Sequence, residues 1–210
     1  MKYKVAIFDF DGTLADSFPF MASVLECLAE KYHIRQFRNE DIPFMRKKHP
    51  RDLLRQYRVP MWKLPFMGRH VRSLMRKNIE MITLFDGIDA VLKDLADLGV
   101  ILVLVSSNSH DLINQVLGDE LASLFAHFEC GSSIFGKQGR FKKVLKKFQV
   151  EPTDVISIGD EIRDMEASKK MQIPFGAVTW GYTDPEILES GNPNHLFHSV
   201  AEITTVLAGT

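Results

Sequence analysis

Four apolar residues, Val5-Ala6-Ile7-Phe8, run into two aspartates one residue apart and then a glycine, in Asp9-Phe10-Asp11-Gly12-Thr13-Leu14. A continuous apolar run closed by glycine is the pattern of a fully buried strand ending in a tight turn. Both carboxylates then stand at the strand's carboxyl end, where ligands bind in open α/β sheets. Side chains alternate along a strand, so Asp9 and Asp11 start on one face, and Gly12 lets the chain turn sharply beside them. Two such charges roughly 4 Å apart repel by about 4 kcal/mol at an effective dielectric near 20. A bound divalent cation or a carboxyl group kept protonated would relieve that repulsion, and either makes the strand tip a chemical site.

The pattern after this tip predicts the architecture. An amphipathic helix runs from about Phe18 to Tyr32, followed by a stretch to Thr83 that is rich in Arg, Lys and Met and has no β-branched runs. Its prolines, Pro43, Pro50, Pro60 and Pro65, divide it into short helices. From Leu84 helices alternate with strands: a helix over Ile88 to Leu98, a strand over Val100 to Val105, a helix near Asp111 to Leu117 and a short strand around Phe128. A Lys-rich helix over Phe141 to Phe148, a strand over Val155 to Ile158, a helix near Asp164 to Met171, a strand over Phe175 to Val178 and a helix around Val200 to Leu207 complete it. Such alternation implies an α/β fold, a Rossmann-like parallel sheet with helices on both faces, carrying an inserted small helical cap. The expected division is a core of residues 1–16 and 84–210 and a cap of residues 17–83.

The chain has 210 residues, 45% of them hydrophobic, with a net charge of −1, which excludes disorder and gives no electrostatic case for a nucleic-acid partner. No run approaches the roughly 20 apolar residues of a membrane span, and the amino terminus lacks a secretory pattern, so a cytoplasmic protein with no membrane partner is expected. Cys27 and Cys130, the only cysteines, are expected to be buried reduced thiols.

Three strands end in polar sequences: Asp9 to Thr13, Ser106-Ser107-Asn108, and Gly159-Asp160-Glu161 with Asp164 three residues on. In a parallel sheet these tips converge on one pocket. Asp9, Asp11 and Asp160 supply hard oxygen ligands, which suit Mg²⁺ better than Zn²⁺. The Ser106 hydroxyl and the amides of Ser107 and Asn108, near the start of the next helix, suit the oxygens of an anion such as phosphate.

This constellation resembles the haloacid dehalogenase superfamily, in the subfamily whose helical cap follows the first motif and which includes phosphoglycolate phosphatases and β-phosphoglucomutases. The motifs stand in order at residues 9–13, 106, 137 and 160–164, and Asp11-Gly12-Thr13-Leu14-Ala15-Asp16-Ser17 carries the subfamily likeness. The resemblance implies Asp9 as a nucleophile that becomes an aspartyl-phosphate and Asp11 as the proton carrier. It implies Mg²⁺ held by the Asp9 side chain, the Asp11 backbone carbonyl and Asp160, with Glu161 and Asp164 as auxiliary acids. The second aspartate favours phosphoryl transfer over carbon–halogen hydrolysis. The lysine that the resemblance calls for is Lys137, without the usual following proline, since Gln138 stands there. Lys142 and Lys143 are its competitors, better explained as the solvated face of a helix. Gly12, Thr13, Ser106, Ser107, Asn108 and Lys137 make up the expected phosphate-binding set.

Residues 17–83 hold 14 Lys or Arg against 6 Asp or Glu, so a basic segment stands beside an acidic remainder. Arg46, Lys47, Lys48, Arg51 and Arg55 either meet an anionic substrate or form a basic surface complementing the acidic core. Met45, Met61, Trp62, Phe66, Met67, Met75 and Met81 are expected in the cap's core or at its junction. The leading reading is a Mg²⁺-dependent phosphatase of a small phosphorylated metabolite. The alternatives are a mutase that passes the phosphoryl group to a sugar hydroxyl and a non-catalytic regulator on the same fold; the chain says nothing of oligomeric state.

Overall fold

The computed structural model describes residues 2–131 and 136–209. At its centre lies β1 (Val5–Phe8), buried on both faces because its four side chains alternate between two apolar clusters. Ala6 and Phe8 face one side, with α5 (Ile88–Asp97), α6 (His110–Ser123) and α10 (Ala201–Ala208). Val5 and Ile7 face the other, with α7 (Lys137–Phe148) and α8 (Ile162–Lys170). The remaining core strands are β4 (Ile101–Val105), β5 (Phe125–Glu129), β6 (Val155–Gly159), β7 (Phe175–Val178) and β8 (His195–Phe197), and α9 (Pro185–Ser190) precedes the last of them. All six pair in parallel in the order β5-β4-β1-β6-β7-β8. The expected Rossmann-like core is therefore present.

Register places the site. Phe8 stands level with Leu104 of β4 and Ile158 of β6, so the tips carrying Asp9, Ser106 and Asp160 lie side by side. The chain departs from β1 toward β4 and β5 and later returns to β6 on its other flank, which opens a crevice at the strand ends.

Residues 17–83 fold into α1 (Phe18–Tyr32), α2 (Ile42–Arg46), α3 (Pro50–Gln56) and α4 (Leu64–Lys77). The prolines begin these helices and do not break them: each of α1 to α4 has a proline in its first two positions, where no intrahelical N–H is needed. That is why α4 runs 14 residues where shorter pieces were expected. A two-stranded antiparallel pair, β2 (Ala15–Asp16) and β3 (Thr83–Leu84), joins the departing and returning chains, with Ala15 opposite Leu84. Ala29, Ile34, Tyr57 and Val59 form a small core inside this segment. Phe20, Val24, Leu28 and Met75 join the main cluster beneath it.

Two expectations fail here. Met61, Trp62, Phe66 and Met81 are exposed, not internal, because they lie on the outward side of the 3-10 turns and α4. Cys27 is likewise exposed and Cys130 only half-buried, though both are free thiols.

Candidate active site

Asp9 continues the β1 ladder, its N–H donating to the Ile158 carbonyl at 2.9 Å. The chain then reverses through Gly12, at φ +72°, with the Gly12 N–H donating to Ala15 O at 2.8 Å. Glycine is required twice over, because a Cβ there would come within 2.3 Å of Asp160 Oδ2. Gly181, in the loop after β7, closes the opposite side: its Cβ would fall 2.2 Å from that of Asp160. Asp160 is thus clasped between two backbones. Thr13 Oγ1 donates to its Oδ1 at 3.0 Å and the Tyr182 N–H to its Oδ2 at 2.7 Å, fixing the carboxylate's direction.

The two aspartates of the first motif diverge. Asp9 Oδ2 meets the Lys137 ammonium at 2.8 Å, and the same ammonium meets Asp164 Oδ1 at 2.6 Å. Asp11 turns to other partners, accepting from Ser17 Oγ and from Asn108 Nδ2, each at 2.8 Å. Ser17 precedes α1 but makes no capping bond, its hydroxyl being committed to Asp11 and to the Tyr182 hydroxyl at 2.7 Å. Forgoing such a cap costs about 1 kcal/mol of helix stability.

The site's electrostatics follow from burial. Asp11 is pushed up to about 6, first by burial and then by the Asp9 charge, against the pull of the Ser17 and Asn108 hydrogen bonds. Burial also raises Asp164 to about 8 although Lys137 opposes it, and raises Asp160 well above the usual carboxylate range. Lys137 is held firmly charged, since Asp164 and Asp9 outweigh the opposing effect of its burial. Glu161, ahead of α8, is engaged by Arg163.

Asp9, Asp160 and Asp164 bring one carboxylate oxygen each within 4.8 Å of one another. Three buried hard oxygens converging on one point, two of them on carboxyls that burial pushes toward the protonated form, fit a divalent cation of the magnesium type. This cluster includes Asp164, expected only as an auxiliary acid, and not the Asp11 carboxylate, which its hydrogen bonds hold elsewhere.

Of the expected positions, Asp9, Asp11, Ser107, Lys137 and Glu161 line one small chamber, with Asp160 and Asp164 beside Asp9, and two details differ from expectation. The Asn108 backbone N–H does not face the pocket; it donates to Ser106 Oγ at 3.1 Å, and it is the Asn108 side chain that enters, toward Asp11. Ser106 is fully buried, its carbonyl held by Arg140, which also donates to Glu129 O at 3.0 Å. Lys137 is the lysine at Asp9, whereas Lys142 is exposed and Lys143 pairs with Glu129 at 3.1 Å on the surface. Sequence reasoning missed Ser17, Arg140, Arg163, Gly181 and Tyr182. Trp180-Gly181-Tyr182 follows a strand, so the rule that flagged the other tips would have found it.

Asp9, Lys137, Arg140 and Arg163 line a chamber of about 30 Å³, and a larger cavity of about 390 Å³ lies between it and residues 17–83. Arg46 fastens that segment over the site, donating to Gly181 O at 2.9 Å and Tyr182 O at 3.1 Å.

The family model described as haloacid dehalogenase-like hydrolase matches residues 6–178. A phosphoglycolate phosphatase of Synechococcus elongatus is 28% identical over 201 residues, 95% of each chain. A pyrophosphatase of Oceanobacillus iheyensis is 21% identical over 217 residues, covering 99% of this chain and 98% of its own. Among solved structures, a haloacid dehalogenase-like hydrolase of Streptococcus pneumoniae superposes with a TM-score of 0.80 at 21% identity, over 98% of this chain and 99% of its own. CbbY of Rhodobacter sphaeroides, in complex with phosphate, gives 0.73 at 17% identity over 96% of each. The match spans all three motif-bearing strand tips and the segment inserted after the first, and the chain belongs to the haloacid dehalogenase-like hydrolases.

Proposed function

We propose that this hydrolase is a phosphatase of small phosphomonoesters that works through an aspartyl-phosphate on Asp9. The observation that carries the reading is the unlike environment of the paired aspartates. Asp9 is held by a lysine ammonium, and Asp11, two residues away, is half-buried with a carboxyl pushed up to about 6. A group with that value gives and takes protons near neutral pH.

In this reading Asp9 attacks phosphorus and the ester oxygen leaves as an alcohol after taking the Asp11 proton. Asp11, now a carboxylate, then accepts a proton from the water that opens the acyl phosphate, restoring both residues. Ser17 and Asn108 keep the Asp11 carboxyl aimed at the leaving oxygen. Lys137 and Arg163, with Ser107 beside them on the chamber wall, meet the charge on the phosphoryl oxygens, while Ser106, Gly12 and Thr13 stand behind that wall. Asp9, Asp160 and Asp164 would hold Mg²⁺, with the Asp11 backbone carbonyl as the further ligand that the family resemblance implies, and the ion would supply charge neutralisation at the phosphoryl group. Residues 17–83 act as the cap that excludes bulk water, over a core of 1–16 and 84–210.

The test is inorganic phosphate release from a panel of phosphate monoesters with magnesium or with EDTA, together with acid-quench trapping of a hydroxylamine-sensitive phosphoenzyme. Metal-dependent release with a trapped intermediate is expected. Release that survives EDTA, or turnover without phosphoenzyme, contradicts the mechanism.

A further inference from the structure

The two cavities at the site differ in kind. The smaller is walled by charged side chains, as a phosphoryl group requires. The larger shares Asp11, Ser107, Glu161 and Arg163 with it, so the two are continuous at the carboxyl group that would protonate the leaving oxygen. Beyond that junction its wall is apolar. Met21 and Leu25 of α1, Met45 of α2, Leu53 of α3, and Met67 and Val71 of α4 converge on it. None of the six is fully buried by the protein itself.

The cations nearby are largely committed: Arg46 to the Gly181 and Tyr182 carbonyls, Arg163 to Glu161. Lys48 lies 5.0 Å over the Phe44 ring. Arg72 also lines the wall, but the apolar side chains outnumber these charges. A small polyanion placed here would leave the apolar wall wet and set its second charge against methionine and leucine, at a desolvation penalty. An apolar group would cover that wall, and about 390 Å³ lies within the range of cavities that enclose organic ligands. Unbranched methionines add adaptability of shape.

We infer that the larger cavity is a leaving-group pocket selecting phosphomonoesters of alkyl or aryl alcohols over small polyanions, its apolar wall meeting the alcohol at the Asp11 end of the charged chamber. This inference rests on the phosphatase reading above, and the experiment separates the two. Affinities of n-alkylphosphonates from methyl to hexyl for the full-length protein with magnesium, measured by titration calorimetry, test the pocket without turnover. Kd is expected to fall about fourfold per methylene until the cavity is full. Val71→Trp, which narrows the cavity, should remove most of the gain for hexylphosphonate. A flat or rising Kd series for the unmodified protein overturns the pocket whatever the variant does. Phosphate release from the matching alkyl phosphates, phenyl phosphate, phosphoglycolate and pyrophosphate forms the second arm. There kcat/KM should rise with chain length and exceed that for both polyanions. Equal or better turnover of the polyanions overturns the selectivity while sparing the phosphatase reading. Phosphonates that tighten with length while no ester is hydrolysed overturn the phosphatase reading and leave the apolar pocket standing.

Discussion

Asp9 and Asp11 come from one short run of backbone but differ in what they touch, and that difference decides what each replacement does. Asp9→Asn removes the attacking oxygen while keeping the shape and a hydrogen-bond acceptor for Lys137. Turnover should fall at least 1,000-fold, roughly the scale of losing a covalent nucleophile, with phosphoenzyme absent and the far-ultraviolet dichroism unchanged. Retained turnover would remove Asp9 from the chemistry. Lys137→Met acts differently, because it leaves Asp9 and Asp164 facing each other without the ammonium that now touches both. Removing one member of a buried charge cluster costs about 3 kcal/mol, and activity should fall by about 100-fold or more. Denaturant unfolding and phosphate release measure the two effects separately. At this scale the sequence was legible where a residue type carries its chemistry on its face, as with the acids that follow an apolar strand. It was opaque where function lies in a common residue's placement. Ser17 reads as an ordinary helix cap, and only the fold turns its hydroxyl to Asp11. Arg140 reads as one more cation of a basic helix, yet it is buried and holds the Ser106 carbonyl.

Between elements, the junction of α2 with the loop after β7 governs how residues 17–83 sit on the core. The Arg46 guanidinium donates to two carbonyls of that loop, the Asp184 N–H donates back to Arg46 O at 2.9 Å, and Lys47 lies 3.6 Å from Asp184. Charged hydrogen bonds of this kind contribute about 1.5–3 kcal/mol when shielded. Arg46→Ala should therefore lower the closed fraction, raising KM by about tenfold with a smaller change in kcat, because closure assists ground state and transition state alike. Steady-state kinetics on the best substrate decides this; a fall in kcat at constant KM would mean that Arg46 acts on the chemical step. The basic segment expected over an acidic core thus has a structural use for two of its cations, Arg46 and Lys47, while Lys48 lines the larger cavity. The buried strands were legible because continuous apolar runs announce them. The pair β2 and β3 was not, since two residues cannot show a period, and β8 was hidden because its three residues, His195-Leu196-Phe197, include a polar one. Both are set by tertiary pairing, not local propensity.

For the molecule as a whole, the acidic cluster at the strand tips ties stability to proton and cation concentration. Asp11 is raised to about 6 and Asp164 to about 8 in the folded state, against about 3.9 for a free aspartate. Between roughly pH 4 and 8 the native protein therefore binds more protons at these groups than the unfolded chain does. The slope of unfolding free energy with pH follows the excess of protons on the unfolded state, here negative, so this contribution to stability is present at low pH and is lost as pH rises through the two folded values. A cation that binds the ionised cluster reverses the balance, because it stabilises only the folded state and competes with protons for the same oxygens. Metal-free protein in EDTA should show a melting temperature that falls from pH 5 to pH 8. Magnesium should raise it little at pH 5 and most at pH 8. At a free concentration about 100 times Kd the gain is about 2.7 kcal/mol, or roughly 5–10 °C for a chain of this size. Scanning calorimetry at the two pH values, with magnesium or EDTA, gives four numbers. A magnesium increment equal at both pH values would mean that the ion binds away from Asp9, Asp160 and Asp164. Loss of the increment in Asp160→Asn, at a carboxylate that Gly12 and Gly181 clasp from both sides, would fix it there.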